Sequence, residues 1–335
     1  MRNRSVFVII LLFVASIATL LFSLHSGVVD LSWAEIFNYL CGKKITDQAA
    51  LLLGSLRLPR TAAAFFIGAS LGTSGLVFQT LLQNPLAEPY TLGLSGGSAL
   101  GAILALAFSL EPTSFWVPAL STVGCVSAAL IVLSFGQKRI NLESRTLILF
   151  GVMISLFLGA VVVTVISILS PTKIQTALFW LMGEFGTTRD PWIILIGPLT
   201  FLCFVFLLLK CPALDALNLG ETRALSLGFS PKREKNILFL ICTLVTALGV
   251  SISGLVGFVG LVSPHIARKL LKSSSHRDLM VASYLTGAVI LTIADSLGRS
   301  LTTNTEIPAG SIAALIGTPT LIFLILGRKQ NASAE

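Results

Sequence analysis

Residues 236–267 read NILFLICTLVTALGVSISGLVGFVGLVSPHIA, and how this stretch crosses an apolar slab decides the architecture. It contains no Asp, Glu, Lys or Arg, yet it joins two basic segments, one with Lys232, Arg233 and Lys235, the other with Arg268, Lys269 and Lys272. Basic segments beside membrane spans are retained on the cytoplasmic side, so the chain between them must enter and return. As helix, residues 236–267 would extend ~48 Å, short of the ~60 Å of two full crossings. At least one arm is therefore short or broken. Gly249, Gly254, Gly257 and Gly260 are where the helix can break around a cavity or pack closely on a neighbour.

The rest of the chain has the same character. Of its 335 residues 54% are hydrophobic and only 11% charged, with a mean hydropathy of +0.91, whereas soluble domains carry roughly 25% charged residues. Further apolar segments lie near 5–24, 61–82, 92–110, 115–135, 146–169, 191–210, 279–297 and 309–327. With the hairpin counted twice, they predict an all-α polytopic membrane protein of about ten transmembrane helices. Arg2 and Arg4 precede the first segment, but no small-x-small cleavage site follows Leu24, so it is read as a retained span. Counting crossings from an inner N-terminus places Lys138, Arg139, Arg145, Lys210, Arg223, Arg277, Arg328 and Lys329 inside as well. Both termini are then cytoplasmic. The formal charge of +8 is a cytoplasmic excess of this kind and requires no nucleic acid. The whole chain, 1–335, reads as one transmembrane domain with a cytoplasmic loop at about 211–235 and an outer amphipathic segment at about 30–42. In the latter, Ser32-Trp33-Ala34-Glu35 has the pattern of a capping box.

Charge is nearly absent from the spans, and this limits the chemistry. Gradient-driven transporters keep ionisable groups at membrane depth to bind the coupling ion. Here Asp295, Arg299 and Glu306 gather at the outer end of the 279–297 span, Glu184 lies in an outer loop, and no ladder of charges runs through the middle. An ion-gradient-driven secondary transporter is thus the alternative reading, not the first. Leu94-Ser95-Gly96-Gly97-Ser98 imitates a nucleotide-gripping signature, but it opens an apolar span and no Gly-x-x-x-x-Gly-Lys-Ser/Thr loop exists. It reads as a glycine-rich helix start, and the chain is not expected to be an enzyme or to hold a cofactor. His265 has no second ligand at metal-binding spacing and reads as a capping or packing residue. His25 and His276 read as loop residues. The five cysteines imply no disulfide framework. "SGLV" followed by proline recurs at Ser74 to Pro85 and Ser253 to Pro264, the pattern of an internal duplication.

Five motifs in order, "LRLPR" at 56–60, "QNPLAEP" at 83–89, "LGETRALSLG" at 219–228, "SGLVGFVGLVSPHIAR" at 253–268 and "EIPAGSIAALIGTP" at 306–319, resemble the permease subunits of the iron-chelate and cobalamin ABC importers, the FecCD type. The resemblance covers about residues 5 to 328. It implies a type II ABC importer permease in the bacterial inner membrane. Its partners would be an ABC ATPase dimer, a periplasmic or lipoprotein substrate-binding protein, membrane lipid, and a second permease copy, identical or paralogous. The cargo it implies is an iron chelate, a siderophore first, with haem and cobalamin behind.

The same resemblance distributes roles. Gly220, Glu221, Arg223, Ala224, Leu227 and Gly228 match the loop that docks on the ATPase, and here composition agrees with it, since glycines and Ser230-Pro231 bound a short polar helix. Arg57, Arg60 and Arg299 match outer positions that take glutamates of the binding protein, a task for which the planar guanidinium is suited. Asn84 and Leu86 match one cytoplasmic gate, and Glu143 with Ser144 match the loop that forms a second.

Overall fold

The computed structural model describes the backbone of residues 2–332 apart from 28, 30, 112–113, 140–143, 186–191, 274 and 302–305. Side chains are described except also those of 2, 136–139, 144–145, 192–194 and 325–332. Among the described residues all regular structure is helical. α1 (Arg2–His25) is followed outside by α2 (Trp33–Leu40) and α3 (Asp47–Leu51), and a π-helical turn (Leu52–Arg57) leads into α4 (Leu58–Leu81). A short 3-10 turn (Pro89–Leu92) precedes α5 (Leu94–Ala107), then come α6 (Trp116–Arg139), α7 (Ser144–Ser167) and α8 (Pro171–Leu181). α9 (Trp192–Leu209), α10 (Cys211–Asn218), α11 (Glu221–Ser226), α12 (Pro231–Ser253), α13 (Val259–Leu271), α14 (His276–Ser300) and α15 (Ala309–Ala332) complete the chain. The capping box is formed: Ser32 Oγ accepts from Glu35 N while the Glu35 carboxylate accepts from Ser32 N at 2.9 Å, which starts α2.

Helix α4 is the hub, and its small residues explain why. No Cβ would fit on Gly68 or Gly72 against the backbone of Gly287 and Ser283 in α14, nor on Gly75 against Gly260 in α13. Helices in lipid associate by van der Waals packing, so glycines that let backbones touch supply the contact that burial of apolar area supplies in water. Phe78 and Leu76, both fully buried, fill the space below these close approaches.

The deciding hairpin folds as its length demands. α12 runs to Ser253, the chain breaks at Gly254 (φ 66°, ψ −161°) and at Phe258 (φ 67°), and α13 returns with 13 residues, ~20 Å of helix. Of the four glycines, Gly254 and Gly257 lie in the break. Gly249 and Gly260 are helical and pack, Gly249 on Ile67 and Gly260 on Leu71. Broken backbone away from water needs partners. It finds them on neighbouring segments: Leu255 N donates to Trp180 O near the end of α8 at 3.4 Å and Val256 N to the Tyr90 hydroxyl at 3.1 Å, while beside them Gly310 N donates to Gly183 O at 3.1 Å.

Every segment expected to cross is helical, but not every one is of crossing length. Among the described residues six helices are long and apolar enough to cross a membrane, and the pair α9 and α10, bent by 52°, makes up to seven. α5, α13 and the Ala309–Leu324 part of α15 are shorter. The short arm expected of the 236–267 hairpin is present, and α5 and the Ala309–Leu324 part of α15 are short as well, the chain spending residues on irregular backbone beside each short arm. α8 was not foreseen; Ser170-Pro171 starts it, and its Trp180 carbonyl serves the hairpin break. The two "SGLV" stretches are not equivalent, since Ser74 lies within α4 whereas Ser253 ends α12.

Contacts between distant segments bring together the helix ends that the basic residues group on each side. At the inner end Arg4 reaches the Leu270 carbonyl and Arg268 bonds Gln79, and at the outer end Lys173 bonds the Ala107 carbonyl and Ser109.

Candidate functional site

Three groups of residues singled out by sequence lie at the two ends of the helices. The first is the turn after α4. Leu82 caps the helix, Gln83 turns the chain with φ 46°, and Asn84 Oδ1 accepts from Leu86 N at 2.9 Å, a side-chain turn that fixes Pro85 between them. Leu86 is 51% exposed and Ala87 is buried. The chain then climbs back along the hairpin break: the Glu88 carboxylate accepts from the Phe258 backbone N–H, and the Tyr90 hydroxyl accepts from Val256 N. Glu143, the expected partner gate residue, lies outside the described residues. Ser144 begins α7, and its side chain is likewise outside them.

Glu88 was quoted within a motif but given no role. It is half-buried, and its carboxylate partners the Phe258 N–H of the hairpin break, tying the gate turn to that break.

The second group is the loop between α9 and α12. Gly220 (φ 100°, ψ 158°) takes a backbone conformation that side chains resist, and α11 follows. α11 ends in a Schellman motif: Phe229 N donates to Ala224 O at 3.0 Å, Gly228 N to Leu225 O at 2.9 Å, and Gly228 has φ 85°. Ala224 is buried, with Phe229 packed against the same core cluster. Two ion pairs brace the loop on α12, Lys210 to Glu234 at 2.8 Å and Lys235 to Glu221. Every residue from Glu221 to Gly228 except Ala224 is exposed, Leu225 and Leu227 at 61% and 59%. The result is a rigid, short helix presenting apolar side chains. Leu225 carried no sequence signal separating it from Leu227.

The third group is the outer rim. Asp295, with its side chain fully buried, receives Arg60 Nε at 2.9 Å and pairs with Arg299 Nε at 3.1 Å. Arg60 also donates to Glu306 at 2.6 Å, and Arg299 to Ser23 Oγ at 2.8 Å. Arg57 is buried and donates to the carbonyls of Leu24 (2.7 Å), His25 (2.9 Å) and Val29, stitching the end of α1 to the start of α4. All three arginines named from sequence are thus engaged inside the subunit. Glu306, with 44% of its side chain exposed, is the rim's open acid. His265 bonds the Leu261 carbonyl one turn back at 2.9 Å, as a helix-packing residue does. His276 is no loop residue: it opens α14, is buried, and bonds Asp215 and Thr80.

This architecture has solved and named counterparts. The chain superposes on an inward-facing structure of a transporter described as metal-chelate ABC type with a TM-score of 0.83 and 29% identity, covering 96% of this chain and 99% of the other. The cobalamin import system permease protein BtuC of Halobacterium salinarum is 34% identical, over 86% of this chain and 77% of that protein. The iron-uptake system permease protein FeuC of Bacillus subtilis is 32% identical, over 93% and 95% respectively. The FecCD transport family matches residues 12–327. The fold is that of a type II ABC importer permease, a membrane component that is not itself catalytic. With the short-armed hairpin, the capped loop helix and the match across almost its whole length, the chain belongs to the FecCD transport family.

Proposed function

We propose that the chain is the permease subunit of an ATP-driven importer in a bacterial inner membrane, and that with a second copy it encloses the path of a metal chelate or corrinoid. The observation that carries this reading is α11, a Schellman-capped helix on the cytoplasmic side whose exposed Leu225 and Leu227 have no use in water but fit a groove of a soluble partner. The partner in this reading is an ATPase dimer. Gly220, Glu221, Arg223, Ala224, Leu227 and Gly228 form the docking lever, of which Glu221, Arg223 and Leu227 face the partner while the glycines and Ala224 set its shape. ATP-driven closure of that dimer displaces the lever, and the packed helices rock as rigid bodies.

Asn84 and Leu86 form the cytoplasmic gate here, joined by Glu143 and Ser144 from the other loop. At the outer rim, a substrate-binding protein docks through carboxylates. Since Arg57 and Arg299 are committed to internal partners, docking proceeds through Arg60, where an incoming glutamate exchanges with Glu306. The relatives' names, cobalamin import and iron uptake, support a large chelate as cargo. The test is uptake by cells expressing this chain with its ATPase and binding protein, offered labelled ferric siderophores, haem or cobalamin. ATP-dependent accumulation of one of these is expected, and accumulation of none would overturn the cargo assignment.

A further inference from the structure

A chain of hydrogen bonds, half-exposed at Asp215 and buried at His276 and Thr80, runs from the loop that carries the lever to the turn of the gate. Asp215 lies on α10, within the loop between α9 and α12. Its Oδ1 accepts from the backbone N–H of His276 at 3.0 Å and lies 2.6 Å from the Nδ1 of the same ring. His276 Nε2 is 3.0 Å from Thr80 Oγ1 on α4, and that hydroxyl is also bonded to the Leu76 carbonyl at 3.0 Å. His276 and Thr80 are buried, at 4% and 7% exposure. Thr80 stands one residue before the end of α4, and the left-handed turn at Gln83 and the Asn84 to Leu86 turn follow at once.

Neither end of this chain needs the other for local structure. Thr80 could satisfy its hydroxyl on the Leu76 carbonyl alone, as Thr73 does on Ala69 and Ser70 within the same helix. The ring of His276 instead bridges α10 and α4, which also pack directly on each other, and its orientation is fixed from both sides. A planar group held at both edges transmits displacement, because neither contact can slide without losing a hydrogen bond, and the Thr80 contact lies where no water replaces it. A second tie, Arg268 to Gln79 at 2.6 Å, holds the same end of α4 to α13, so α4 turns with the short-arm helix and not with α10 alone.

We propose that Asp215, His276 and Thr80 form the rigid link through which movement of the lever reaches the Asn84 to Leu86 gate, with His276 as its positioning residue. This rests on the reading of the α10 and α11 loop as the ATPase lever. Coupling between sites requires an element that both bias, and here that element is the α10, α14 and α4 contact.

The test uses the whole complex in lipid with a spin label at Leu86→Cys in a Cys41→Ser background, and the probe is ATP with vanadate. In the parent, nucleotide trapping should change the distance between the two gate labels. His276→Ala and Thr80→Val should each reduce that change about fivefold at equal nucleotide occupancy. Combining them should add little, because both cut the same link. Thr80→Ser restores the hydroxyl and should restore the response, which a loss of packing would not do. An undiminished change in Thr80→Val, or equal loss in Thr80→Ser, overturns the link while leaving the lever in place. No change in the parent, with nucleotide trapped, overturns the lever reading itself and the link with it.

Discussion

Asp295→Ala is expected to destabilise the subunit by about 3 kcal/mol, since it strands the buried Arg299 guanidinium and leaves Arg60 with Glu306 alone. Arg60 and Arg299 have side chains only 12% and 7% exposed, and Asp295 has none of its own in contact with water. Pairing repays the desolvation of such charges only while the partner stays, and α4 and α14 meet through this carboxylate at the outer end as they meet through glycines lower down. Unfolding in detergent micelles measures it. Recovery of part of the loss by adding Arg299→Met, which removes the stranded charge, is expected too. A loss below about 1 kcal/mol would mean that the cluster is hydrated and worth no more than a surface ion pair.

The second large effect is on association. Leu225→Asp with Leu227→Asp should weaken binding of the ATPase at least about 100-fold, the consequence of placing two charges where a buried interface centre would form. Both side chains point away from the subunit, so its own melting should hardly move. Titration of the labelled ATPase against the purified chain reads this out. Equal affinity for parent and variant would remove α11 from the interface.

Much of this molecule was legible from residues. The return of 236–267 followed from basic segments on both sides of an uncharged stretch too short for two crossings, and the break falls at Gly254, as that argument requires. The capping box at Ser32 and Glu35 is a local pattern with a local cause, and it formed. What sequence did not reveal depends on contact between segments far apart in the chain. Periodicity gives the length of an apolar run, not that α5 and α13 fall short because their first residues run as irregular backbone satisfied by Tyr90, Trp180 and one another. Arg57 looked like a rim residue because its position in the chain is at the rim. Its burial depends on the carbonyls at the end of α1, 33 residues away at Leu24. His276 looked like loop because Ser273, Ser274 and Ser275 precede it. Its importance lies in Asp215, 61 residues back, and no pattern in either segment announces the other.

Proteoliposomes containing this chain, its ATPase and its binding protein test the central claim most directly, which is that the subunit is a passive path worked by nucleotide hydrolysis on the cytoplasmic side. The cargo found in the uptake screen should accumulate against its gradient when ATP is supplied to the ATPase, and should not accumulate when a proton or sodium gradient is imposed without ATP. Accumulation driven by an ion gradient through the chain alone would contradict it.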